Sequence, residues 1–342
     1  MKRLSFFIVI IFVTACACSL KKKTIFIRDL PIVYSDMYNI RIFGIQKFHP
    51  FDSEKYEKVY NYLTRTVGID KKSFVIPEAI STNDLLLVHS EEYLASLKDS
   101  KIIAQVAELG LLKIFSASTL EKKLLQPMKF AVGGTIAGAH LALKKGWAIN
   151  LSGGYHHAKF NKGEGFCFYA DIPLAVKKVW ERNESLKVLI IDLDAHQGNG
   201  IESFFHDEPR VHVIDVYNSE VYPRDVKEIK FINTDLPLKS NTSDKAYLSI
   251  LKKHIPMVIK KFKPGLIIYN AGTDILKGDS LGQLKVSADG IIKRDEIVFE
   301  NAALNKVPIL MVLSGGYSSR SGKIIGRSIE NILKKVIKID LQ

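Results

Sequence analysis

The chain has 342 residues, 47% hydrophobic and 25% charged, fractions that exclude wholesale disorder and low-complexity fibres. Its three cysteines, Cys16, Cys18 and Cys167, exclude a disulfide scaffold and a zinc site built from thiolates alone. The formal net charge of +13 is that of a lysine-rich solvated surface, and no nucleic-acid partner is expected because no DNA- or RNA-binding motif accompanies it.

Lys2 and Arg3 open the chain, and Leu4 to Val13 follows as an apolar run with one serine. That run is too short to cross a bilayer comfortably and has the length of a signal-peptide core. Val13-Thr14-Ala15-Cys16 resembles a bacterial lipobox, in which Cys16 would be lipidated, and Lys21, Lys22 and Lys23 would then sit against anionic headgroups. Ala15-Cys16-Ala17 reads alternatively as a cleavage site releasing a soluble periplasmic or secreted protein, and an uncleaved anchor is a third reading. The expectation is an exported chain, held at the membrane of the bacterial envelope by a lipid on Cys16. Residues 1–23 are its signal and tether, and residues 24–342 form one domain.

From Thr24 onward no repeat or linker interrupts the chain. Phe130 to Lys145, rich in Gly and Ala, predicts a closely packed helix. Nearly continuous apolar runs at Ala148–Leu151, Val188–Leu193, Val211–Val216, Leu266–Tyr269 and Val307–Leu313 predict parallel strands buried on both faces. Ile172, Ala175, Val176, Val179 and Trp180 recur at helical spacing, with Asp171 as N-cap. Tyr247, Leu251, Val258 and Phe262 mark another helix, bent at Pro256. This alternation predicts an α/β fold: an open, mostly parallel sheet with helices on both faces.

Ligands of such sheets bind beyond the carboxyl ends of the strands. There stand Ser152-Gly-Gly-Tyr-His156-His157, Asp192-Leu-Asp194-Ala-His196-Gln-Gly-Asn199, Asp215-Val-Tyr-Asn, Asn270-Ala-Gly-Thr-Asp274 and Ser314-Gly-Gly-Tyr317. Asp194 and His196, two apart at a strand end, point the same way while Ala195 points back. With Asp274 they make one imidazole and two carboxylates, which leaves coordination positions open as a catalytic site requires. Zinc suits the set, and iron(II) would accept it. Asp274 taken alone reads equally well as a helix cap. A lone histidine reads as a polar surface group, which is how His49, His89, His140, His206, His212 and His254 are taken. Adjacent His156 and His157 after Gly-Gly are harder to dismiss, because imidazoles can take a proton from metal-activated water. Asp192 and Asn199 are the natural partners of that pair, and the Tyr317 phenol can donate to a developing oxyanion.

At this point the residues resemble a known family. Gly153-Gly-Tyr-His-His-Ala-Lys159, Gly163-Glu-Gly-Phe-Cys167, Ile191-Asp-Leu-Asp-Ala-His-Gln-Gly-Asn-Gly200, Asn270 to Asp274 and Ser314 to Tyr317 resemble the zinc-dependent histone deacetylases. Leu193 to Gly200, Tyr269 to Asp279, Lys293-Arg-Asp-Glu296 and the loop ending His49-Pro-Phe-Asp52 are similar to the class IV branch. The resemblance covers roughly Pro31 to Leu333. It implies an arginase/deacetylase fold and hydrolysis of an Nε-acyl-lysine amide. It implies metal ligation by Asp194, His196 and Asp274 and catalysis by His156, His157 and Tyr317, with Asp192 and Asn199 orienting the histidines. A structural potassium ion near Asp192, Asp194, His196 and Asp215 is a further implication. Gly165, Phe166 and Tyr222 are candidates for the substrate channel.

Three other readings stand beside this one. A binuclear amidinohydrolase needs a carboxylate two residues beyond His196, where Gly198 stands. A deacetylase of small acetylated amines such as acetylpolyamines would use the same catalytic groups as one acting on protein. An inactive acyl-lysine reader would not need the full set of reactive groups found here. Acyl length and oligomeric state are not legible.

Overall fold

The structure is a computed structural model, and it describes residues 25–341. The proposed signal and lipidated cysteine lie outside the described residues. Among the described residues, seven strands form one sheet: β1 (Ile32–Val33), β2 (Trp147–Asn150), β3 (Val188–Asp192), β4 (Val211–Asp215), β5 (Thr234–Asp235), β6 (Leu266–Asn270) and β7 (Ile309–Val312). Their order is β1-β2-β7-β6-β3-β4-β5, and every pairing is parallel.

The apolar runs form strands because both faces are covered. Ile149, Leu189, Ile191, Ile267, Tyr269 and Met311 enter one core cluster, while Ala148, Val188, Ile190, Leu266, Ile268 and Leu310 enter the other. Each fully buried Ile, Leu or Val contributes roughly 1.5–3 kcal/mol. The principal helices are α1 (Lys55–Asn61), α2 (Gln126–Lys145), α3 (Asp171–Trp180), α4 (Asn199–Phe205), α5 (Asp244–Phe262), α6 (Ala288–Leu304) and α7 (Ser321–Lys335). Helices α5, α6 and α7 bury their apolar residues in the first cluster, and α3 and α4 in the second. Helix α5 continues through Pro256. No helix among the described residues is long and apolar enough to cross a membrane.

Register aligns the strand ends. Asn150 pairs with Val312, Val312 with Asn270, Asn270 with Asp192, and Asp192 with Asp215. The residues just beyond this row therefore emerge side by side from the ends of five different strands. After β2 the chain passes β7 and β6 before entering the sheet again as β3, and this crossing is where an open parallel sheet forms its crevice.

Two sequence expectations are corrected. Asp171 does not cap α3: Ala170 occupies that position. The Asp171 carboxylate, fully buried, instead accepts from the Gly154 and Tyr155 amides, both at 2.8 Å, and from the Thr135 hydroxyl at 2.7 Å. It shapes the turn that presents the histidine pair. His89, read as a surface group, is 1% exposed.

Candidate metal centre and catalytic pocket

Beyond the end of β3 the chain alternates. The ligand-bearing atoms of Asp194, His196 and Asp274 lie within 4.8 Å of one another, all three side chains buried. The Ala195 amide donates to Asp274 Oδ1 at 2.8 Å. His196 Nδ1 stands 3.0 Å from both Asp194 Oδ1 and Asp274 Oδ2. Asp194 Oδ2 accepts from Ser314 Oγ and from the Gly315 amide, each at 2.8 Å. A Cβ on Gly315 would lie 2.3 Å from Asp274 Oδ2, so only glycine lets that backbone approach the carboxylates.

The electrostatics ask for a cation at the centre. Burial, then the charge of Asp194, pushes Asp274 up to about 7. Burial opposes charge on His196, but its hydrogen bonds to Asp194 and Asp274 overcome this and push it up to about 10. Two buried carboxylates around one imidazole, with a glycine cradle, fit a divalent ion of the zinc type.

The histidine pair sits beside this cluster, its rings 4.1 Å apart. His156 Nδ1 lies 2.9 Å from Asp192 Oδ2, and His157 Nδ1 lies 2.8 Å from Asn199 Oδ1. Burial disfavours charge on both. For His156, the Asp192 and Asp194 carboxylates win and push it up to about 9. For His157, burial and the positive fields of His156 and His196 hold it well below the usual imidazole range. The surroundings thus push the two imidazoles in opposite directions, His156 toward the charged form and His157 toward the neutral one.

Tyr317 stands across from them, its ring 6.0 Å from His196, 6.1 Å from Phe166 and 6.2 Å from Phe51. Its amide donates to Asp279 Oδ2 at 2.8 Å. Burial and the nearby Asp274 and Asp194 raise its phenol well above the ordinary value, so it remains a donor. Phe51, Met128, His157, Phe166, Cys167 and Tyr317 line a small, mostly apolar pocket here. Gly165 and Phe166 both have positive φ. A Cβ on Gly165 would lie 2.5 Å from His157 and 3.2 Å from Tyr222. The Tyr222 ring is 5.1 Å from that of His157, at the outer vestibule. The three expected channel residues thus stand together around the histidine.

The sequence reading passed over two buried cations under the site. Lys55 of α1 donates through Nζ to the carbonyls of Ser314 (2.5 Å) and Gly315 (3.0 Å). Burial lowers it to about 8, against the pull of Asp274 and Asp194. Arg294 of α6 donates to the carbonyls of Leu193 (3.3 Å) and Ala271 (3.1 Å) and to that of Gly272, and pairs with Asp295 at 2.7 Å. It clamps the tips of β3 and β6, which carry the three metal-binding candidates. Both lie on buried helix faces, Lys55 in step with Val59 and Leu63 and Arg294 with Ile291 and Val298, but a charged side chain at such a position reads as solvated until the carbonyls it meets are seen.

An all-parallel sheet, with an Asp-His-Asp cluster that could hold a metal ion and a histidine couple at its carboxyl edge, is the architecture of the arginase/deacetylase fold. Residues 49–335 match the model of the histone deacetylase domain. The chain is 44% identical over 309 residues to histone deacetylase 2 of Arabidopsis thaliana, covering 90% of this chain and 80% of that one. It is 27% identical over 286 residues to human histone deacetylase 1, covering 80% and 58%. The crystal structure of the HDA15 HD domain shares the fold at a TM-score of 0.72 and 18% identity, covering 91% of this chain and 90% of that one. The chain belongs to the histone deacetylase family, a family of deacetylase hydrolases.

These relatives overturn the expectation of an exported lipoprotein of the bacterial envelope. The relatives that carry a histone deacetylase name are from plants and human, and no helix among the described residues is long and apolar enough to cross a membrane. The physical reason is the brevity of the pattern. A short apolar run between two basic residues and a cysteine carries little information by itself, and the exported, membrane-anchored localisation is withdrawn with it.

Proposed function

We propose that this chain hydrolyses Nε-acyl-lysine amides, with residues 24–342 as the catalytic domain and Zn²⁺ held by Asp194, His196 and Asp274. Fe²⁺ suits the same donors. The observation that carries the reading is the convergence of Asp194, His196 and Asp274 within 4.8 Å, beside a histidine couple whose rings are held by Asp192 and Asn199. When bound, the ion supplies Lewis acidity, which makes the amide carbon more electrophilic and water more acidic.

The remaining steps belong to the chain's own side chains. The acyl-lysine enters between Gly165, Phe166 and Tyr222. Neutral His157 takes a proton from water as its oxygen bonds to the carbonyl carbon. Tyr317 donates to the oxyanion. A protonated histidine then gives a proton to the departing amine as the C–N bond breaks. Asp192 and Asn199 keep the two rings in place. The class IV assignment rests on the Leu193–Gly200 and Tyr269–Asp279 stretches. A structural potassium ion beside Asp192, Asp194 and His196 finds support in buried Asp215 and Glu202, each with a carboxylate oxygen lacking a partner among the described residues.

The test is hydrolysis of acetyl-lysine peptides and of acetylated polyamines by the purified chain, before and after chelation. Chelator-sensitive release of acetate from the peptides is expected. Release from polyamines alone would transfer the reading to small amines. Acyl-lysine binding without hydrolysis would make the protein a reader.

A further inference from the structure

We propose that Glu164 and Asp225 are positioning residues that lock the Asn199 amide, and through it the tautomer of His157. The inference rests on the proposed role of His157 as base, but its geometry stands apart from that role.

An asparagine beside a histidine is ambiguous. Its oxygen end accepts from an Nδ1–H, whereas its NH₂ end demands a bare Nδ1. In the first case the neutral ring carries its lone pair on Nε2, and in the second on Nδ1. Only the first leaves Nε2 able to take a proton from water. A carboxylate at position 199 would settle the matter alone, since it only accepts. An amide needs something behind it.

That something is present. Asn199, 1% exposed, donates through Nδ2 to Glu164 Oε1 at 2.7 Å and to Asp225 Oδ2 at 3.3 Å. Both amide hydrogens therefore meet carboxylates, and Oδ1 is turned toward His157 Nδ1, 2.8 Å away. Rotating the amide by half a turn would set its oxygen against two anions and its NH₂ against the imidazole N–H, losing three hydrogen bonds at a buried position. Lys159 holds the two anions in place: its Nζ is 2.7 Å from Asp225 Oδ2 and 3.9 Å from Glu164 Oε1, with Glu228 at 3.3 Å. Glu164 belongs to the loop that also carries Gly165 and Phe166, so the channel wall and the amide lock are set by one segment.

The experiment uses the full chain labelled with ¹⁵N-histidine, and compares wild type with the E164Q/D225N variant by two-bond ¹⁵N–¹H correlation. Wild type should show His157 as the Nδ1–H tautomer, and the variant a mixture or the Nε2–H form. With acetyl-lysine peptide, kcat should fall about 10–100-fold while KM stays within about threefold, because the base is misplaced and the channel is intact. Adding N199D should restore kcat to within about fivefold of wild type: a carboxylate at 199 accepts from Nδ1–H in either orientation, and the amides introduced at positions 164 and 225 can donate to it. If E164Q/D225N fails to fold, E164Q alone carries the same comparison. A variant that keeps the Nδ1–H tautomer and wild-type kcat overturns the inference. A wild-type chain without acyl-lysine hydrolysis overturns the proposed function instead, and the tautomer comparison still decides this one.

Discussion

Tyr317 has one hydroxyl to offer, and its environment fixes the state in which it is offered. Burial and carboxylates keep the phenol protonated, so it is a donor at every pH at which the enzyme works, and no ionisation of its own enters the rate. Removing that oxygen leaves the ring contacts with Phe51, Phe166 and His196. Tyr317→Phe should therefore lower kcat roughly 10²–10³-fold, the cost of one oxyanion donor, with zinc-dependent thermal stabilisation unchanged. Full activity in the Phe variant would remove Tyr317 from the chemistry. At this scale most of the candidate site was legible: glycine-flanked polar residues after apolar runs have no reason to recur in a core. Lys55 and Arg294 were not legible, because a buried cation is defined by the carbonyls it meets, and those come from distant segments.

His89 shows how one side chain ties two elements together. Its Nδ1 lies 3.0 Å from the Lys159 carbonyl, and its Nε2 accepts from the Ala170 amide at 2.9 Å. Ala170 leads directly into α3, whose Asp171 holds the Gly154 and Tyr155 amides. Protonating Nε2 would set a donor against a donor, and burial accordingly lowers His89 to about 4. Below about 6.5 the unfolded chain takes up a proton that the folded chain refuses until about pH 4. Stability should thus be intact above pH 6.5 and be lost as pH falls toward 4, by roughly 3 kcal/mol from this group. Urea midpoints at about pH 7.5 and about pH 5, on either side of the ordinary imidazole value, check it: His89→Gln should be less stable at the higher pH and lose less between the two. An equal loss in both proteins would acquit His89. The five strands with long apolar runs were readable at this scale. The two-residue strands β1 and β5 were not, since they are too short to show a period. Asp171 was misread because an acid before an apolar helix looks like a cap until the turn it serves is seen.

The whole molecule converges on the carboxyl edge of its sheet, and this ties the centre to global stability. Asp194 and His196 follow β3, Asp274 follows β6, and the Ser314 and Gly315 donors to Asp194 follow β7. An ion bound there joins neighbouring strands, and in the unfolded chain those donors are dispersed, so binding must favour the folded state. At a free concentration about a hundred times its Kd, the ion adds about 2.7 kcal/mol, which corresponds to a rise in Tm of about 4 °C for a chain of this size. One divalent ion per chain is expected, because Gly198 puts no carboxylate where a second, bridged divalent ion would need one. Calorimetry with and without Zn²⁺, together with elemental analysis of the dialysed protein, measures both quantities. Asp274→Asn replaces a charged donor with a neutral one while keeping its shape, and should abolish the Tm rise. Two divalent ions per chain would overturn the mononuclear reading, and an undiminished rise in the Asn variant would remove Asp274 from the centre.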